Sequence, residues 1–206
     1  MPKPDKFDKF LKAMLTMFGI GYSKYVSGTV ASFVTCIIYF LIYMSSFSQF
    51  NISLFLLHYN PEYVVWFLII ITMSSINLIN DRSFRHKFAK LFKKNDPKEI
   101  VIDEFIGQSI PIISYSYLSF FKAGPSFDSF FIFFEGRPFI GWLITSFILF
   151  RFFDILKPYP INIIDKKMKN GLGVMLDDII AGIYVIVFIA IWLNLTKYFD
   201  IFVIHL

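Results

Sequence analysis

Residues 178–195 read DIIAGIYVIVFIAIWLNL, a run whose only charge is the opening aspartate and which no proline interrupts. In hydrocarbon every backbone N–H and C=O must be paired within its own segment, and about 20 apolar residues in a helix cross the bilayer core. The run therefore reads as a membrane-spanning helix, and it sets the solvent against which the remaining sequence is judged. Two more stretches, 29–47 and 63–79, are as clear. Two others, 100–121 and 138–153, are shorter or broken by polar groups, while 52–59 and 127–134 are apolar but too short to span and belong at the interface or as extensions of a neighbouring helix. Apolar residues make up 56% of the chain, above the roughly 45–50% of a soluble domain, so lipid is the solvent for the whole molecule. The expected fold is all-α, a polytopic membrane bundle of about five spans forming one domain over 1–206, with no internal repeat. Cys36, the single cysteine, falls inside an apolar run as a small buried hydrophobe and cannot form an internal disulfide.

Lysine and arginine fix the orientation, because loops retained in the cytoplasm carry the positive excess. Lys3, Lys6, Lys9, Lys12 and Lys24 precede the first span. Arg82, Arg85, Lys87, Lys90, Lys93, Lys94 and Lys98 lie between the second and third, and Arg151, Lys157, Lys166, Lys167 and Lys169 follow the fourth. The connection 48–62 holds no basic residue and 122–137 holds two. An odd number of spans then puts the N-terminus in the cytoplasm and the C-terminus in the periplasm. The net charge of +5 fits basic loops resting on anionic headgroups, and no nucleic-acid partner is expected. The first twelve residues alternate lysine with phenylalanine and aspartate without a long apolar core, which reads as a surface-lying amphipathic segment and not as a cleavable leader.

Ionisable groups at the mouth of a span cost about 2.5–3.5 kcal/mol at a helix centre and so mark function. Asp96, Asp103 and Glu104 fall at the entrance of the third span, Asp154 at the exit of the fourth, and Asp177 and Asp178 at the entrance of the fifth, all at the cytoplasmic level. Neighbouring acids point about 100° apart on a helix, so each pair can aim one carboxylate at a cation and the other at a second ion or a partner. Oxygen ligands of this kind suit Mg²⁺. The competing account is that acids at helix N-termini are favoured by the macrodipole and by capping alone. Arg151 and Asp154, three apart, either pair on the helix surface or belong to the site. Gly19, Gly21, Gly28 and Thr29 bracket the start of the first span, either as a turn or as a phosphate-binding approach to a helix N-terminus. Lys157-Pro158 and Pro160 end the fourth span and hold a cation there. His58, His86 and His205 are scattered and do not make an active site.

Three blocks carry a family resemblance. Arg151-Phe-Phe-Asp154-Ile-Leu-Lys157-Pro158-Tyr-Pro160 leads into Gly171-Leu-Gly173-Val-Met175-Leu-Asp177-Asp178-Ile-Ile-Ala181-Gly182. A second block is Asp96-Pro97-Lys98-Glu99-Ile100-Val101-Ile102-Asp103-Glu104-Phe-Ile-Gly107-Gln108, and a third is Ser27-Gly28-Thr29-Val-Ala-Ser32. Together they cover most of the chain and resemble phosphatidylglycerophosphatase A. The chain departs from the family's pattern at Ser27, where the family usually has proline, and in the stretch 114–137, which is longer and richer in phenylalanine.

The resemblance implies Mg²⁺-dependent hydrolysis of phosphatidylglycerophosphate to phosphatidylglycerol and inorganic phosphate in a bacterial inner membrane. Under it Asp103, Glu104, Asp177 and Asp178 form the metal shell. Asp96 activates water or serves as an outer ligand, Asp154 belongs to the catalytic set, and Gly28, Thr29, Arg151 and Lys157 hold phosphate oxygens. Water attack and a phosphoaspartate intermediate are both compatible with these residues. A histidine-dependent lipid phosphatase lacks its Arg/His set here, and a CDP-alcohol phosphotransferase lacks its spaced aspartate array. The non-enzymatic alternative is an ion or phosphate transporter, whose carboxylates would continue across the membrane. Asp165, beside Lys166 and Lys167, is expected to be a solvated structural charge.

Overall fold

The computed structural model describes residues 6–24, 26–47, 61–81, 98–120 and 138–204. Within them all regular structure is helical, in seven α-helices: α1 (Lys6–Leu15), α2 (Ser27–Phe47), α3 (Pro61–Asn80), α4 (Ile102–Phe120), α5 (Pro138–Leu156), α6 (Ile161–Lys167) and α7 (Gly171–Ile204). A single 3₁₀ turn, Ile20–Tyr22, lies between α1 and α2 and is entered through Gly19 at φ 101°, a left-handed conformation that glycine adopts without strain. Asp96 and the segments 52–59 and 127–134 lie outside the described residues.

Four helices, α2, α3, α5 and α7, are long and apolar enough to cross a membrane. The fifth expected span, α4, has the length, 19 residues, but carries Asp103, Glu104, Gln108 and Pro111. It is accommodated by position: α4 packs against α2, α3, α5 and α7 and runs through the middle of the bundle. Ile102, Ile106, Gln108, Ser109, Ile112, Ile113 and Ser114 are all buried on it, whereas α3 exposes most of its surface. Lipid-facing apolar side chains are normal for the outer helices, and the polar helix is shielded by protein instead. Pro111 breaks the backbone ladder of α4, and its carbonyl accepts hydrogen bonds from Trp142 Nε1 (2.8 Å) and Ser114 Oγ (2.7 Å). Two buried clusters hold the bundle together, one between α2, α3 and α4 around Cys36, Leu68, Ile106 and Ile112, the other between α5 and α7 around Trp142, Phe150, Val185 and Ile189.

One boundary differs from expectation in a way that matters for the site. The last helix starts at Gly171, with Gly173 N–H donating to Asn170 Oδ1 (2.9 Å) and Gly171 N–H to Asn80 Oδ1 at the end of α3 (2.6 Å). Asp177 and Asp178 interrupt the apolar pattern of this helix, so the sequence reads the span as starting at Asp178 and hides the two turns before it. Asp177 and Asp178 therefore lie well inside the helix. Capping and the macrodipole act within the first turn and do not explain them.

Candidate metal centre

The beginning of α4 is fixed by the N-terminal segment. Val101 N–H donates to Leu15 O (3.0 Å), Ser27 Oγ donates to Lys98 O (2.9 Å), and Gly21 lies so close to Glu99 that a Cβ would strike its carbonyl oxygen. Ser27 thus ties the start of α2 to the turn that leads into α4. These contacts set Asp103 and Glu104 in the first turn of α4.

Two glycines bring the neighbouring helices onto that turn. A Cβ at Gly28 in α2 would fall on Glu104 Oε1 and lie 3.4 Å from Arg151 Nη1, so only a bare backbone lets α2 approach the carboxylate. On the other side, a Cβ at Gly107 would meet Asp178 O at 2.7 Å and Asp178 Cβ at 2.9 Å, and Gly182 presses on Gly107 O in turn. Small residues at such crossings let membrane helices pack backbone to backbone. The result is that carboxylate oxygens of Asp103, Glu104 and Asp178 lie within 4.8 Å of one another, with Asp178 only 4% exposed.

Asp103 Oδ1 and Glu104 Oε2 are shut off from solvent and have no hydrogen-bond partner among the described residues. Three carboxylates at this distance, with orphaned oxygens, repel one another unless a cation joins them. An all-oxygen donor set fits a hard divalent ion such as Mg²⁺, held by Asp103, Glu104 and Asp178.

The other expected site residues form a second layer. Arg151 Nη1 pairs with Asp154 Oδ2 at 2.8 Å and approaches Ser32 Oγ at 3.4 Å, while its Nε is buried with no partner among the described residues. The surface-pair account of Arg151 and Asp154 and the site account thus describe one arrangement: they pair, both at most 16% exposed, beside the carboxylates. Asp154 lies within interaction range of Asp177 and Asp178. Thr29 is half-buried in the first turn of α2.

Asp177 is not among the three converging acids. Its Oδ2 accepts from Lys157 Nζ at 3.1 Å, and the same ammonium donates to Asp165 Oδ1 at 2.9 Å. Lys157 sits at φ 45°, in the left-handed region just past α5, and the following turn is held by Tyr184 Oη donating to Tyr159 O (2.6 Å). The hydrogen bond from Lys157 holds the Asp165 carboxyl below its ordinary range. Burial works against the charge on Lys157, but its bond to Asp165 and the charge of Asp177 outweigh it and hold the ammonium above its usual value. Asp165 is thus a partner of Lys157 and not merely a solvated charge. The sequence offered Asp165 only as a structural charge, and gave Ser32 and Gln108 no role beyond their place in the resembling blocks; a further signal for these two is helical spacing, one turn beyond Gly28 and Glu104 respectively.

Known proteins resemble this chain over most of its length. A family profile described as phosphatidylglycerophosphatase A matches residues 13–193. The phosphatidylglycerophosphatase A of Haemophilus influenzae is 38% identical over 93 residues, 45% of this chain and 45% of the relative. That of Escherichia coli is 33% identical over 98 residues, 48% of this chain and 45% of the relative, so the aligned part of the chain spans about half the length of each. A Bacteroides thetaiotaomicron protein, named provisionally as a phosphatidylinositol-3-phosphatase, is 28% identical over 191 residues, 90% of this chain and 96% of its own. No solved structure matches the chain.

Proposed function

Because the chain belongs to the phosphatidylglycerophosphatase A family, we propose that it removes the terminal phosphate of phosphatidylglycerophosphate, dependent on Mg²⁺, at the cytoplasmic face of a bacterial inner membrane. The observation that carries this reading is the meeting of Asp103, Glu104 and Asp178 at one end of a lipid-exposed bundle, where a phosphate monoester on a lipid headgroup can reach them. The basic residues around this end support the cytoplasmic assignment.

The chain's own groups divide the task. Asp103, Glu104 and Asp178 would hold the ion. The chemistry such an ion supplies is neutralisation of phosphate charge and help for the departing alkoxide. Arg151, kept in place by Asp154 and Ser32, offers N–H donors to phosphate oxygens. Lys157 holds Asp177 and is better cast as a positioning group than as a phosphate ligand, since two carboxylates occupy its ammonium. Asp96 completes the set as the candidate for water activation. Acyl chains stay among the outer helices, whose apolar faces bind remote parts of the substrate and so help the reacting centre.

The near full-length similarity to the Bacteroides protein favours a second substrate, phosphatidylinositol 3-phosphate, which is also a monoester on a lipid headgroup. A transporter is disfavoured because, among the described residues, no acid lies between the two ends of the bundle. The test is phosphate release by purified protein in mixed micelles, with each lipid, with Mg²⁺ or with chelator. Release from phosphatidylglycerophosphate that chelator abolishes and Mg²⁺ restores is the expected result. Release only from the inositol lipid moves the assignment to that substrate, and none from either rejects the phosphatase reading.

A further inference from the structure

Gln108 lies four residues beyond Glu104, hence on the same face of α4 and one turn deeper into the bundle. It is 0% exposed, and both Oε1 and Nε2 lack hydrogen-bond partners among the described residues. A buried amide without partners is costly to leave unsatisfied, so one placed inside a membrane bundle calls for a partner. Helical side chains lean toward the N-terminus of their helix, which directs Gln108 back toward the carboxylates. Two buried serines on neighbouring helices stand near its level. Ser32 stands four residues past Gly28, the α2 residue that faces Glu104, and is fully buried. On α5, Trp142 meets Pro111 and Phe150 meets Gly107, so Ser146, between them, stands at the level of Gln108; it too is 0% exposed, and its Oγ has no partner among the described residues.

We infer that Gln108, with Ser146 beside it, binds a neutral hydroxyl of the lipid headgroup, the one on the glycerol carbon between the two phosphates. The inference rests on the proposed activity and specifies what that site recognises. A primary amide offers donors and an acceptor together. A hydroxyl satisfies both, whereas a phosphate, which only accepts, leaves Oε1 orphaned. The distance agrees: four covalent bonds separate the reacting phosphorus from that hydroxyl oxygen, comparable with the rise of one helical turn, about 5.4 Å. A site built to hydrogen-bond a substrate hydroxyl discriminates strongly against an analogue without it, because its own polar groups are then left unpaired.

The experiment compares phosphatidylglycerophosphate with the analogue whose headgroup is 1,3-propanediol phosphate, using wild type, Gln108→Leu and the near-isosteric Gln108→Met in mixed micelles with Mg²⁺. Wild type is expected to favour the natural lipid at least tenfold in kcat/KM. Both variants should lose about that factor on the natural lipid and keep their rate on the analogue, so the preference disappears. A preference that survives in whichever variant inserts and stays monodisperse overturns the assignment. So does an equal loss on both lipids, which marks Gln108 as purely structural. A wild type that hydrolyses the natural lipid without preference overturns it while leaving the activity standing, whereas a wild type inactive on both overturns the activity and this inference together.

Discussion

At the scale of single residues the acids separate into two groups with different duties. Asp103→Asn, Glu104→Gln and Asp178→Asn each delete a charge from the converging trio, and each is expected to lower turnover at least 100-fold or sharply raise the Mg²⁺ requirement. The protein should remain inserted and monodisperse in detergent, and retained turnover at normal Mg²⁺ in all three would remove the metal centre. Lys157 and Asp165 give the contrasting case. Asp165 is partly exposed, so Asp165→Asn should cost at most about 1 kcal/mol and leave activity within about threefold. Lys157→Met strands Asp177, whose side chain is 13% exposed, and should cost on the order of 2 kcal/mol, read as a lower unfolding midpoint. The lowered Asp165 carboxyl contributes stability above its unfolded value of about 4, lost as pH falls through the folded one, and the raised Lys157 contributes below about 10.4, lost only as pH rises beyond it. Both stay charged between, so wild type and Asp165→Asn should show parallel pH–rate profiles from about pH 5 to 9. Asp103, Glu104 and Asp178 were legible in the sequence because a carboxylate at the mouth of an apolar run is anomalous. The distinct role of Asp177 was not, since adjacent acids look alike until the lysine that takes one of them is placed.

At the scale of helices the site depends on backbone contacts more than on side chains. Gly28→Ala would push Glu104 off its position without touching the apolar core, so a 10- to 100-fold loss of turnover with an unchanged unfolding midpoint is expected. Gly107→Ala pushes instead on the backbone of Asp178 and on the Phe150 ring, and should lower both stability and turnover. Equal behaviour of the two would mean that Gly28 serves packing alone. The glycines themselves stood out in the sequence, but Gly28 was read there as part of a turn or phosphate loop, because the partner it accommodates lies 76 positions away. The start of α7 was likewise hidden: a hydrophobicity pattern locates lipid, and the turns from Gly171 to Asp178 face protein. The five helices were otherwise readable, since four of them meet lipid directly and apolar length is what lipid demands.

The whole molecule is a test of its orientation. On a Cys36→Ser background, cysteines placed at 82–97 should resist an impermeant reagent applied to intact cells, while those at 48–60 should react. The reverse pattern would put the acids on the outer face and sever them from a cytoplasmic substrate. There is also a consequence in the position of α4. A helix with Asp103, Glu104 and Gln108 is a poor guest for bare lipid, and the helices that enclose it on one side, α5 and α7, are made after it. Biogenesis must therefore keep α4 sheltered during synthesis until the final helix arrives, which makes α7 a completing part as well as a source of Asp178. Chains truncated before Gly171 should integrate α4 incompletely, seen as protease accessibility of its flanks, and chains extended through Leu195 should not.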